Sequence, residues 1–245
     1  MAGFRLFDLN PEQESAVRTL DGPLLILAGA GSGKTRVITA RVAYLVAQGI
    51  APESILAVTF TNKAAKEMRE RLATMIDPVP AKKVTTSTFH ALCVRILRQD
   101  IEKLGYKKTF SIYDESDQLG LIKKIITRVA ARDEKLEPNA AKNLISKAKN
   151  NGWREPEDDK TLVGAVFARY QQDLKTLNAV DFDDLLLLTV KLLAEHADVR
   201  ARWQRRFHYL MIDEFQDTNR LQLELVTLLA DERKNVAVVG DDDQS

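Results

Sequence analysis

The clearest chemistry in the chain sits in Ala28, Gly29, Ala30, Gly31, Ser32, Gly33, Lys34 and Thr35. Glycines 29, 31 and 33 let the backbone turn tightly around an anion with no Cβ in the way. Successive N–H groups of such a turn form a nest for phosphate oxygens, and a helix starting there favours negative charge. A lysine beside the nest reaches the β- and γ-phosphates, and the next hydroxyl suits a divalent cation. These residues predict a phosphate loop that binds ATP with Mg²⁺, Thr35 lying on the metal. The bland alternative is a glycine-rich turn with an incidental Lys-Thr pair. Its place between an apolar run at 23–28 and a helical pattern at 33–48 argues against that.

A second constellation follows the apolar run 209–212, where Asp213 and Glu214 stand together. Carboxylates at the carboxyl end of a parallel strand lie where open α/β sheets bind ligands. Asp213 is expected to hold Mg²⁺, directly or through water, and Glu214 to accept a proton from the attacking water. The alternative is a pair of acids serving the dipole of the following helix.

The elements that must position these residues can be read from periodicity. Strands are expected at 23–28, 55–60, 84–88, 209–213 and 236–240, with helices at 33–48, 62–75 and 219–229. Strands alternating with helices imply a parallel sheet. Between about 91 and 195 the apolar spacing becomes helical, with polar connections near 132–139 and 149–160. The expected fold is α/β: a P-loop parallel-sheet domain flanked by helices and interrupted by a mainly helical inserted subdomain. Its segments are 1–90 and 196–245 for the sheet domain and 91–195 for the insertion.

Composition bounds the partners. The 245 residues carry a formal net charge of +1, so any nucleic-acid surface must be local. The insertion has a small excess of Lys and Arg. Lys123, Lys124, Lys142, Lys147 and Lys149 could track a DNA backbone or could be solvated helix faces. A single cysteine, Cys93, excludes an intrachain disulfide and fits a reducing, cytoplasmic setting as a small buried hydrophobe. No apolar run is long enough for a membrane span, and the first residues do not read as a signal peptide. The polar 240–245 loop after a buried strand reads as a segment that would continue.

Further motifs surround the two sites in a fixed order: residues 9–13, 58–65, 86–90, 181–185, 212–218 and 239–245. Together they resemble the superfamily 1 DNA helicases of the UvrD/Rep/PcrA group, and the likeness spans essentially the whole chain. It implies a RecA-like motor domain, ATP and Mg²⁺ as cofactors, and single-stranded DNA and single/double-strand junctions as partners. Gln13 resembles the glutamine that reads adenine, an amide able to donate and accept at once. It could also simply close a capping box with Asn10. Arg36 resembles an arginine stacked on the base, or is an exposed helix charge.

Phe60, Thr61 and Asn62 resemble a motif holding single-stranded DNA, an aromatic face being able to stack any base. Phe60 could instead be an apolar strand terminus. Thr88, Phe89 and His90 resemble a second DNA contact, though a lone histidine after a strand is commonly structural. Gln216 and Gln244 resemble glutamines that touch the γ-phosphate region. The resemblance assigns catalysis to Lys34, Asp213, Glu214 and Gln244, and implies 3′-to-5′ unwinding. The family closes its ATP cleft with a second motor domain, so these 245 residues alone are expected to hydrolyse ATP poorly and not to unwind. Two alternatives are a non-catalytic nucleotide- and DNA-binding module and part of a RecB/AddA-like helicase–nuclease subunit.

Overall fold

Four short apolar runs and one buried run of threonine and serine, 85–88, align as parallel strands because flanking helices with apolar stripes need a common surface. The computed structural model describes residues 9–29, 31–130, 135–151 and 161–241. The expected site residues Ala30 and Gln244 lie outside these. Contacts divide the chain into two units, one drawn from Met1–Leu92, His196–Thr218 and Val226–Ser245, the other from Cys93–Glu195 and Asn219–Leu225.

The first unit begins with α1 (Pro11–Arg18), β1 (Leu24–Leu27), α2 (Lys34–Ala47), β2 (Ile55–Thr59), α3 (Asn62–Met75), α4 (Pro78–Lys83) and β3 (Thr85–Thr88). Helix α5 (Phe89–Asp100) runs into the second unit, which continues as β4 (Ser111–Ile112), α6 (Glu115–Val129), α7 (Pro138–Asn150), α8 (Leu162–Thr176), β5 (Ala179–Val180) and α9 (Phe182–Glu195). The first unit resumes with α10 (Ala197–Arg206) and β6 (Tyr209–Ile212). Helix α11 (Arg220–Leu229), whose first turns belong to the second unit, leads to β7 (Val236–Gly240).

The five-stranded sheet has the order β1-β7-β6-β2-β3, all parallel. Its register sets Leu27 against Gly240, Val58 against Ile212 and Thr59 against Thr88. The carboxyl ends of the strands are therefore level. The phosphate loop leaves β1, Asp241 leaves β7, Asp213 leaves β6, Phe60 leaves β2 and Phe89 leaves β3. In such sheets this edge is where ligands bind. One face is sealed by α2 and α3, whose Ile38, Val42 and Leu45, and Met68 and Leu72, recur at helical spacing and join Ile55, Ala57, Met211 and Val239 in one core.

In the second unit, α6, α7 and α8 bury Ile122, Ile125, Ile145, Val166, Phe167 and Tyr170 together. The short parallel pair β4–β5 was not expected in a helical segment. Cys93 is fully buried, and burial pushes its thiol up to about 12, so it behaves as a packing residue.

Two sequence expectations are corrected here. Helix α7 starts at Pro138 and carries Lys149, so neither polar connection has the expected bounds. Lys149 is not a DNA-tracking surface charge. It is 0% exposed, with its Nζ 2.6 Å from Asp181 Oδ2 and 2.8 Å from Asp184 Oδ1. Tyr170 donates its hydroxyl to the same Asp181 oxygen at 3.0 Å. Lys142 pairs with Glu115.

Candidate nucleotide site

The phosphate loop is shaped by two left-handed backbone positions, Gly31 at φ 76° and Gly33 at φ 86°. A side chain at either would be strained. Gly33 is the N-cap of α2 and offers no side chain to cap it, and the first turn carries no acid. The leading N–H groups and the positive end of the helix dipole thus remain for an external anion.

Lys34 lies beneath this loop. Its Nζ is 2.8 Å from Asp241 Oδ2 and donates to the Ala28 carbonyl at 3.1 Å. The bond to Asp241 raises the lysine above its ordinary value, so it is fully cationic. Thr35 Oγ1 donates to Asp213 Oδ2 at 3.1 Å, joining hydroxyl and carboxylate across 178 residues of sequence. Asp213 is 2% exposed, and burial pushes its carboxyl upward because its charge is poorly solvated. Glu214 adopts a left-handed backbone at φ 52°, uncommon for a side chain of its kind. Its N–H donates to Asp213 Oδ1 at 3.1 Å, while its carboxylate accepts from Gln216 Nε2 at 2.8 Å. Gln216 is fixed at its other end, where Oε1 accepts the Asp241 N–H at 3.0 Å.

Gln13 closes the capping box with Asn10 and also donates its Nε2 to the Ser32 carbonyl at 2.9 Å. The local role is therefore present, and it places the amide directly on the phosphate loop. Arg36 is exposed and lines the cleft.

These groups surround a cleft of about 720 Å³. Thr59, Phe60 and Thr61 form part of its wall, as do Glu67 and Arg71 of α3. The last two were not singled out in the sequence. Their spacing from Ala64, three and seven residues on, was the available signal of a shared face.

Of the residues assigned to DNA, Thr61 and Asn62 are exposed and Phe60 and His90 half-buried. Thr61 caps α3, accepting the Ala64 N–H at 3.0 Å. The expectation for Phe89 needs correcting. It is 2% exposed and packs edge-on against Phe60, with ring centroids 5.8 Å apart, so it supports an aromatic rather than offering a face. Thr88 is also buried and its Oγ1 accepts the Ala91 N–H at 3.2 Å.

Residues 9–245 match the UvrD/REP helicase N-terminal domain family. The chain belongs to that family. Several relatives align along nearly the whole chain. The ATP-dependent DNA helicase PcrA of Bacillus subtilis (strain 168) is 48% identical over 98% of this chain and 33% of its own length. The protein of that name from Leuconostoc citreum is 48% identical over 97% of this chain and 33% of its own length. That from Staphylococcus aureus (strain Mu50 / ATCC 700699) is 44% identical, again over 97% and 33%. The chain thus spans about a third of the length of these relatives. The five-stranded parallel sheet with its flanking helices fits the RecA-like α/β architecture of a UvrD/REP helicase domain. No helix among the described residues is long and apolar enough to cross a membrane.

The residues present fit a Mg²⁺–nucleotide. Thr35 and the buried Asp213 carry hard oxygen donors, and phosphate oxygens and water would complete a shell. Among the described residues no cluster of three or more His, Cys, Asp or Glu forms a self-sufficient metal cage.

Proposed function

We propose that this chain is the ATP-binding and DNA-holding part of an ATP-dependent DNA helicase that moves 3′ to 5′ along single-stranded DNA and opens duplex at junctions. The observation that carries this reading is the Lys34–Asp241 and Thr35–Asp213 pairing at the level carboxyl ends of the sheet, beside a helix N-terminus open to an anion. Residues 1–90 and 196–245 form the motor domain in this reading and 91–195 its inserted subdomain, in a cytoplasmic protein.

The chemistry follows from the side chains. The loop N–H groups of 29–33 hold phosphate oxygens, Lys34 neutralises their charge, and Gln13 and Arg36 hold the base. Thr35 and Asp213 would hold Mg²⁺, which when bound draws charge from the phosphate oxygens. Glu214 takes the proton of the attacking water on its carboxylate, oriented by Gln216. By the resemblance, Gln244, outside the described residues, serves the γ-phosphate region with Gln216. Phe60 stacks a base while Thr61, Asn62 and His90 hold the strand, with Thr88 and Phe89 behind them.

The first test is ATP binding by the 245 residues, with and without Mg²⁺, followed by DNA-stimulated hydrolysis. Binding with feeble hydrolysis and no unwinding is expected, since an arginine finger from a second domain is worth on the order of 10³–10⁵ in rate. A robust DNA-stimulated rate from the 245 residues would overturn the claim that they are catalytically insufficient. On the DNA side, Phe60→Ala should weaken binding of a fluorescent oligothymidylate about tenfold, as loss of one stacked base implies. Unchanged affinity in that titration removes Phe60 from the DNA site.

A further inference from the structure

We infer that Asp241 is a placeholder anion for Lys34, holding the lysine's charge until a nucleotide's β-phosphate displaces it and thereby setting ATP affinity. The inference rests on the reading that ATP occupies this cleft. Three observations carry it. The first is the pair itself: Lys34 Nζ and Asp241 Oδ2 are 2.8 Å apart, with side chains only 10% and 2% exposed. A contact so withdrawn from water is strong and must be broken before the ammonium can turn to a phosphate.

The second is position. The parallel register sets Gly240 beside Leu27, and Ala28 donates its N–H to the Gly240 carbonyl at 3.1 Å, so Asp241 stands next to the start of the phosphate loop. The third is what else Asp241 holds. Its own N–H fixes the Gln216 amide at 3.0 Å, and that amide holds the Glu214 carboxylate at 2.8 Å. The residue that must release the lysine thus also anchors the amide that orients the base. Asp241 is a positioning residue. Its exchange of partners gives the Glu214 carboxylate a way to register that phosphate has arrived.

The test is calorimetric titration of ATP, ADP and AMP into the 245-residue chain and its Asp241→Asn and Asp241→Glu variants, with and without Mg²⁺, alongside their melting temperatures. Asp241→Asn should bind ATP and ADP roughly tenfold tighter, since no ion pair is broken, and bind AMP as before. Asp241→Glu should stay near the original chain. Should Asp241→Asn unfold the protein, Asp241→Ser carries the same comparison. Equal or weaker ATP binding overturns the inference, and a loss confined to the Mg²⁺ titrations would make Asp241 a metal-side ligand instead. Tighter AMP binding as well would signal a loosened cleft and also overturn it. If the unaltered chain binds no ATP, the reading of the cleft falls and the inference with it.

Discussion

Replacing Lys34 with alanine should weaken ATP binding by roughly 30- to 1,000-fold, a loss of about 2–4 kcal/mol. The lysine lies beneath the loop and donates to the Ala28 carbonyl at 3.1 Å. A charge-assisted contact to phosphate is about twice as strong as a neutral one. Its removal also leaves Asp241, 2% exposed, without that cation and beside the incoming phosphates. The loss should therefore exceed that of one hydrogen bond. The double variant Lys34→Ala/Asp241→Asn should recover part of it, because the repelling carboxylate is gone as well. Titration of ATP into the single and double variants checks both statements. An affinity for Lys34→Ala equal to that of the original chain would remove the phosphate loop from the nucleotide site.

The second large effect concerns stability. Lys149→Met should cost about 3–5 kcal/mol, because it strands two buried carboxylates without their cation. Lys149 is 0% exposed and lies within 2.8 Å of both Asp181 and Asp184. Burial pulls the lysine down, but Asp184 and Asp181 outweigh it and leave it raised. Burial also pushes the Asp184 carboxyl up to about 6, above the ordinary carboxylate range. The sign of the pH dependence follows. A carboxyl whose folded pKa is raised binds more protons folded than unfolded between those values. Its contribution to stability is then fullest below the unfolded value and is lost as pH rises through about 6. In Lys149→Met the counter-charge is gone, so the loss of stability should be smaller at pH 5 than at pH 8. Urea unfolding at the two pH values decides it, and an equal loss at both would show that the carboxylates do not carry the cost.

These two residues mark where the sequence was legible and where it was not. Lys34 could be read because its meaning is local: glycines, a strand before, a helix after. Asp213 and Glu214 were legible for the same reason, at the end of an apolar run. Lys149 was not, because its partner Asp181 is 32 residues away and the two meet only through the packing of α7 against α9. In a lysine-containing stretch that looked like a polar connection, the expected reading is solvent. Phe89 misled for a related reason: an aromatic just after a strand can stack outward or fill the core, and only the tertiary environment chooses. The Lys34–Asp241 pair joins positions 207 residues apart, beyond any spacing argument, although both motifs were individually visible. Gln13 shows the opposite case, since its capping role and its place on the loop are both present.

The wall formed by Thr59, Phe60 and Thr61 lines the nucleotide cleft from the same stretch of backbone that the proposed function gives to DNA. In that reading, a segment shared in this way would tie the two ligands by linkage. Any factor by which ATP alters the affinity for a single strand is the factor by which that strand alters the affinity for ATP. The direction and size of that factor can therefore be measured from either side. A nucleotide titration on DNA-bound chain and a DNA titration on nucleotide-bound chain must close to the same number.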